Sequence, residues 1–340
     1  MSEPKKPPRR LSDEQLADIF QQDVLPGLTR LPGQKSPRMV LLGGPQGSRK
    51  TTLRPLVAAQ LGLSDAVFYD GDDHYTYHPH HDALAREHGV LEASRLCGPD
   101  IEVLRTAILT EVHARGLNVM LIGPYTNEEY TLGRVAEFRA EGYSTEMAYT
   151  ALHPALSQVG VMDRHRWAMS DGPGYSFLVS LELQQLVLDG VPSIMTEVEQ
   201  RGLADALHLV DAGGVAFSKH LGADGTWTPS RPAREAVAEI RHQPWDPATR
   251  QDFLERRAAV AVPVGESAED WGKRLVRVDE LAAPMLAPPT AGTRPSAAAA
   301  RKRSTTLPSS KAAKKAAPPS AQGPPASPAP GREASSGRSR

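Results

Sequence analysis

The run MVLLGGPQGSRKTTLRP, which begins at Met39, constrains the fold more than any other part of this 340-residue chain. It passes from four apolar residues, typical of a buried strand, into a glycine-rich turn and then into residues that favour a helix. Glycines let backbone N–H groups close around phosphate oxygens, and the amino end of a helix adds the positive end of its dipole. The run therefore predicts a phosphate-binding loop, with an ordinary turn between a strand and a helix as the alternative.

The loop satisfies the pattern G-x-x-x-x-G-K-[ST] at its first glycine, its lysine and its hydroxyl position. Lys50 is spaced to reach the β- and γ-phosphates of a nucleotide, and Thr51 to offer its hydroxyl to Mg²⁺. Arg49 replaces the second glycine, so it brings both steric obstruction and a guanidinium that can contact phosphate. The predicted ATP-binding residues are Gly44, Pro45, Gln46, Gly47, Ser48, Arg49, Lys50 and Thr51.

Between residues 11 and 286, short apolar runs alternate with longer amphipathic stretches. This alternation is typical of a parallel sheet covered by helices, in the α/β class. Ser12 and Gln15 have the spacing of a capping box, which predicts an opening helix over residues 12–24. The predicted strands are residues 39–42, 66–70, 118–122, 144–152 and 207–211.

Composition divides the chain into four parts. Residues 287–340 contain ten prolines, no aromatic residue, and ten Lys or Arg against one acidic residue. Such a segment cannot bury enough apolar surface to offset its ordering entropy, so we expect residues 1–10 and 287–340 to be disordered. Weak nonspecific polyanion binding is one role for the basic tail. We expect a main domain over residues 11–230 and a helical extension over residues 231–286, packed through Trp245, Phe253 and Trp271.

The remaining composition excludes several classes of protein. One cysteine rules out a disulfide scaffold, and no run approaches 18 consecutive apolar residues. The amino-terminal MSEPKKPPRR is followed by no apolar stretch of the kind found in signal peptides. We therefore expect a cytoplasmic protein with no membrane partner.

A second motif, DGDDHYTYHPHHDAL, follows the next predicted strand and begins at Asp70. Ligands of open α/β sheets bind at the carboxyl ends of strands. Asp70 and Asp72 are two residues apart, so on an extended strand end they point to the same side, and one of them can accept a proton from a hydroxyl. The four histidines in this motif match no closed four-ligand metal pattern, and we expect them to be solvated or hydrogen-bonded.

Taken together, GGPQGSRKT and YDGDDHYTYHPHHDAL resemble the zeta toxins, whose pattern is GGxPGxGK[ST] followed by [IV]D-x-D-x-[FY]-[RK]-x-x-H-P-x-[YF]. The similarity spans residues 39–210 and is strongest at these two motifs. It implies a P-loop kinase-like parallel sheet that uses ATP and Mg²⁺ to phosphorylate a hydroxyl of UDP-N-acetylglucosamine or a related UDP-sugar. It also implies a separately encoded antitoxin that blocks the nucleotide site.

The resemblance implies a role for each matching residue. Asp72 matches the general base, and Asp70 and His78 fall on the substrate side. Arg164, in the segment DRH, matches an arginine directed at the transferring phosphate, with a solvated helix charge as the alternative reading. The implied catalytic residues are therefore Asp72, Arg164 and Lys50.

The chain also departs from the family pattern. Ile122, Gly123 and Pro124 replace E-G-T, so the glutamate that holds the sugar is missing, and residues 177–185 lack the second arginine. Two alternatives to an active kinase therefore stay open. One is a nucleotide- or partner-binding protein of the same fold that has lost catalysis, and the other is a nucleic-acid-associated P-loop protein that uses its basic tail.

Overall fold

The computed structural model describes residues 10–263 and 265–287, so the predicted disorder of residues 1–9 and 288–340 lies outside the described residues. Seven strands form one sheet with the order β2-β3-β1-β4-β5-β6-β7. In chain order they are β1 (Arg38–Gly43), β2 (Val67–Asp70), β3 (Val119–Ile122), β4 (Ser144–Thr150), β5 (Ala206–Asp211), β6 (Gly214–Leu221) and β7 (Trp227–Thr228).

The α/β class and the five predicted strands are confirmed, because β2, β3, β1, β4 and β5 are all parallel neighbours. At one edge, β6 and β7, which the sequence did not predict, extend the sheet in antiparallel pairing. β6 has only two buried residues, Gly214 and Lys219, so it carries no continuous apolar run of the kind that marks a buried parallel strand.

Eleven α-helices lie within the described residues, and most of them cover the two faces of the sheet. They are α1 (Asp13–Ile19), α2 (Leu25–Thr29), α3 (Lys50–Gln60), α4 (His81–His88), α5 (Val90–Arg115), α6 (Glu128–Ala140), α7 (Pro154–Ser170), α8 (Leu181–Arg201), α9 (Ala233–His242), α10 (Pro247–Ala259) and α11 (Ala268–Leu286). A π-helical turn, Phe20–Val24, joins α1 to α2, and a 3₁₀ turn, Asp73–Tyr77, follows β2.

The predicted capping box is present at the start of α1. The Ser12 Oγ accepts from the Gln15 N–H at 3.2 Å, and the Gln15 side chain accepts from the Ser12 N–H at 2.9 Å. These two bonds satisfy backbone donors that the first turn of a helix leaves without partners. In the described part of the chain, no helix combines the length and the apolar character needed to cross a membrane.

The helices after residue 231 pack onto the body of the protein, as the sequence predicts. Trp245, Phe253 and Trp271 are buried together with Val159 and Met162 of α7. The contact matters for the site because α7 also touches the glycine-rich loop after β1.

Candidate functional site

The glycine-rich loop, Gly44 to Arg49, connects the carboxyl end of β1 to the amino end of α3. Gly44 and Gly47 both adopt positive φ, +133° and +75°, a region that disfavours side chains with a Cβ. The Gly44 N–H donates to the Pro124 carbonyl oxygen at 3.1 Å. Ser48 is fully buried and accepts a 2.8 Å bond from the Thr150 hydroxyl, which ties the loop to β4.

The same loop lies directly against α7. The Ser157 hydroxyl donates to the Gln46 carbonyl oxygen at 2.6 Å. A Cβ added to Gly47 would clash with the Ser157 carbonyl oxygen, and a Cβ on Gly160 would lie 2.5 Å from the Gly47 carbonyl oxygen. The close approach of loop and helix therefore requires small residues on both sides.

Lys50 is the first residue of α3, and its side chain folds back over the loop. The Nζ donates to the carbonyl oxygens of Gly44 at 2.8 Å and Pro45 at 2.9 Å. Burial lowers the pKa of the Lys50 ammonium to about 8, and Arg164 adds to this lowering while Asp70 and Asp72 oppose it. Lys50 is thus within electrostatic range of both aspartates and of Arg164.

Asp70 ends β2 beside the start of α3 and is buried. Its Oδ2 lies 3.5 Å from the Thr51 Oγ1 and 3.8 Å from the Arg54 Nη1. Burial raises the pKa of this carboxyl to about 6, with a further contribution from the negative charge of Asp73. A hydroxyl and a carboxylate therefore face each other at the loop.

Asp72 is exposed, and its backbone N–H donates to the Asp70 Oδ1 at 3.2 Å. The residue between them, Gly71, offers its carbonyl oxygen to the Arg105 Nη2 at 2.6 Å. Arg164 is an exposed residue of α7. Asp72 and Arg164 are thus both accessible from solvent, as groups that contact a substrate must be.

His78 is buried and uses both ring nitrogens within the protein. Its Nε2 lies 3.4 Å from the Asp100 Oδ2, and its Nδ1 accepts from the His80 backbone N–H at 3.2 Å. The interpretation of this residue as a hydrogen-bonded histidine is confirmed, and a substrate-side role for it stays a prediction. Within residues 10–263 and 265–287, no group of three or more His, Cys, Asp or Glu is arranged to hold a metal ion.

Ile122, which replaces the glutamate of the family pattern, is the last residue of β3. It is 3% exposed and packs among apolar residues that include Leu42 and Leu53. Ile122 is therefore part of the hydrophobic core. Any polar contact with a sugar substrate has to come from other side chains.

Arg49 caps α3 in the left-handed conformation, with φ 64° and ψ 22°. Its Nη1 lies 3.6 Å from the Asp252 Oδ2 on α10. Burial lowers the pKa of the Arg49 guanidinium, the nearby Arg256 lowers it further, and Asp252 and Asp163 oppose the change. The contacts made by Arg54, Arg105 and Asp252 could not be predicted from the sequence, because no local pattern marks partners that are brought together only by folding.

The zeta toxin family model matches residues 23–220, more than half of the chain. The chain belongs to the zeta toxin family. Among curated members, it is 23% identical over 187 residues to the toxin zeta of Streptococcus agalactiae, a match that covers 55% of this chain and 64% of that protein. Toxin PezT of Streptococcus pneumoniae serotype 4 is 22% identical over 178 residues, covering 52% of this chain and 68% of its own length. The match to the Streptococcus agalactiae zeta toxin thus spans less than two thirds of that relative.

A solved structure supports the same fold over a longer stretch. It comes from a study of the PezAT chromosomal toxin-antitoxin system of Streptococcus pneumoniae and superposes with a TM-score of 0.60. The superposition covers 80% of this chain and 100% of that one at 17% sequence identity, so it is evidence for the fold alone. The P-loop kinase-like architecture expected for a zeta toxin is confirmed.

Proposed function

We propose that this zeta toxin family member transfers the γ-phosphate of ATP to a hydroxyl of UDP-N-acetylglucosamine or a related UDP-sugar. The observation that carries the proposal is the arrangement around Lys50, whose ammonium lies on the loop carbonyls within electrostatic range of Asp70, Asp72 and Arg164. Phosphoryl transfer depends mainly on positioning and on stabilising charge, which a lysine, an arginine and a carboxylate can supply.

The residues present fit a nucleotide and its magnesium ion. Gly44 and Gly47 leave the loop backbone uncovered by side chains, and the amino end of α3 favours an anion. Thr51 and Asp70 supply the hydroxyl and carboxylate oxygens that Mg²⁺ prefers. Bound Mg²⁺ would neutralise charge that develops on the phosphate oxygens.

Each remaining group has a defined task. Asp72, exposed at the end of β2, accepts the proton of the acceptor hydroxyl as general base. Arg164 stabilises negative charge on the transferring group. Asp70 orients Asp72 through its bond from the Asp72 N–H and stays close to Thr51.

The acceptor sugar is held differently here from the way the family pattern implies. Because Ile122 is apolar and buried, the sugar hydroxyls are held by groups other than the glutamate of the family pattern. The same observation favours a second candidate, a protein that binds nucleotide but has lost transfer. The toxin-antitoxin system named for the PezAT structure supports a further proposal, that a separately encoded antitoxin covers the nucleotide site of this chain.

The test is transfer of labelled γ-phosphate from ATP to UDP-N-acetylglucosamine and to a panel of other UDP-sugars. We expect Asp72→Asn to lower turnover by a factor on the order of 10² to 10⁴ while nucleotide affinity is kept, as befits loss of a general base. Asp82→Asn, an exposed carboxylate in the same segment, is the matched control and should retain turnover. Full activity in Asp72→Asn would refute the assignment, and nucleotide binding with no transfer to any acceptor would favour the second candidate.

A further inference from the structure

We propose that Asp252 is a positioning residue for the glycine-rich loop and acts through Arg49. By pairing with the Arg49 guanidinium, Asp252 holds the loop in the conformation that receives nucleotide phosphates. The inference rests on the proposed nucleotide site, and it gives the carboxyl-terminal helices a part in forming that site.

The need for such support arises at Arg49 itself. Its backbone is left-handed, with φ 64°, although the residue carries a Cβ. This conformation is unfavourable for a long side chain such as that of arginine, and the family pattern has glycine here. The Arg49 side chain makes no capping hydrogen bond to the start of α3. Contacts elsewhere must therefore compensate for the backbone conformation.

The described contacts of the Arg49 side chain lead to α10. Three quarters of the side chain is buried, and its Nη1 lies 3.6 Å from the Asp252 Oδ2. The Asp252 Oδ1 also accepts from the Arg256 Nε at 3.3 Å, and the same nitrogen lies 3.2 Å from Oδ2. The Asp252 carboxylate therefore forms ion pairs with two partly buried guanidinium groups.

Loss of the Asp252 charge would leave Arg49 and Arg256 as like charges close to each other. Their repulsion already contributes to the lowered pKa of Arg49, and Asp163 is the remaining carboxylate that opposes it. We expect Arg49 to move away from α10 when this balance is lost. Since Lys50 is the next residue, such a movement changes the loop backbone that faces the phosphates.

α10 is held in place by packing against α7, so Asp252 is well positioned to hold Arg49. Phe253, the residue after Asp252, is 1% exposed and packs with Val159 and Met162 of α7. α7 in turn touches the loop through the bond from Ser157 to Gln46. Asp252 therefore belongs to a packed unit that already holds the other side of the loop.

The test is calorimetric titration of the full chain with ATP and Mg²⁺ in a double-mutant cycle. Asp252→Asn removes the charge and keeps the shape. We expect it to weaken ATP binding by about fivefold or more, the lower end of typical coupling between sites. In an Arg49→Gly background, where the left-handed backbone needs no support, the same change should have an effect of less than about twofold. Asp252→Glu, which keeps the charge, should restore most of the affinity.

Glu255→Gln is the matched control, since it removes one negative charge from an exposed position on the same helix. Hydrogen exchange of the loop amides in nucleotide-free protein provides a second readout, and Asp252→Asn should accelerate it only when Arg49 is present. The inference is overturned if wild type binds ATP and Asp252→Asn matches the control, or binds more tightly. It is also overturned if the loss persists in the Arg49→Gly background. Failure of wild type to bind ATP would instead overturn the proposed function, and this inference with it.

Discussion

At the scale of single residues, the site combines two groups whose pKa values are shifted in opposite directions by the same cause. Burial lowers the pKa of Lys50 to about 8 and raises that of Asp70 to about 6. Both shifts favour the neutral forms, and a bound phosphate and a bound cation would each reverse one of them by supplying the opposite charge. Lys50 and Asp70 are therefore suited to ligands of the opposite charge.

A pH dependence of stability is predicted from His153, which caps the amino end of α7 and is 6% exposed. Its Nδ1 accepts from the Ala155 N–H at 3.2 Å, and burial lowers its pKa to about 4, with further contributions from His242 and Arg241. The unfolded chain therefore binds a proton between pH 6.5 and 4 that the folded protein does not, so stability falls as the pH falls through this window.

The variant His153→Asn keeps a good helix-capping acceptor and removes the titration. We expect the loss of unfolding free energy between pH 7 and pH 4 to be smaller than in wild type by about 3 kcal/mol. Urea unfolding followed by circular dichroism at both pH values measures this difference. Equal losses in the two proteins would contradict the role given to His153.

The sequence predicts the glycine-rich loop and the aspartates after the next strand as two separate motifs. The structure adds their proximity, since the Thr51 Oγ1 lies 3.5 Å from the Asp70 Oδ2. The left-handed backbone of Arg49 and its pairing with Asp252 were not predictable, because they depend on a helix 200 residues further along the chain. From the sequence, Arg49 could either obstruct the loop by its size or contact phosphate through its guanidinium. The structure shows that this side chain lies beside Asp252 on α10.

At the scale of elements, β1 and β3 could be predicted because they lie inside the sheet and their sequences, RMVLLG and VMLI, are almost entirely buried apolar runs. β6 was missed because it lies near the sheet edge, where Ser218, Lys219 and His220 replace such a run. Lys219 is buried nonetheless and pairs with Glu199, a tertiary contact that no local pattern reveals.

The contact between the loop and α7 gives a prediction for Gly47→Ala. The added methyl group would clash with the Ser157 carbonyl oxygen, and alanine at φ +75° is strained in addition. We expect a loss of about 1–3 kcal/mol in unfolding free energy, together with weaker ATP binding. Gly27→Ala is the control, because Gly27 lies in α2 with open space around its Cβ position. Unchanged ATP affinity in Gly47→Ala would show that the loop tolerates displacement from α7.

At the scale of the whole molecule, α10 and α11 share a core with α7, which predicts one cooperative unfolding transition. Trp271 is 1% exposed within that core. Trp271→Ala should destabilise the protein by about 3–5 kcal/mol, whereas Val276→Ala, at a 58% exposed position on the same helix, should change stability little. Urea unfolding followed by tryptophan fluorescence and by far-ultraviolet circular dichroism tests both points. Two separate transitions would contradict the shared core and favour an independently folding extension.

The central claim, that the loop after β1 is a working nucleotide site, is tested most directly by calorimetric titration with ATP and Mg²⁺. Wild type is expected to bind, and Lys50→Ala to bind at least about tenfold more weakly, because it removes charge-assisted hydrogen bonds to phosphate. Lys35→Ala, an exposed lysine before β1, is the control and should match wild type. Binding that is absent in wild type, or equal in wild type and Lys50→Ala, would contradict the account.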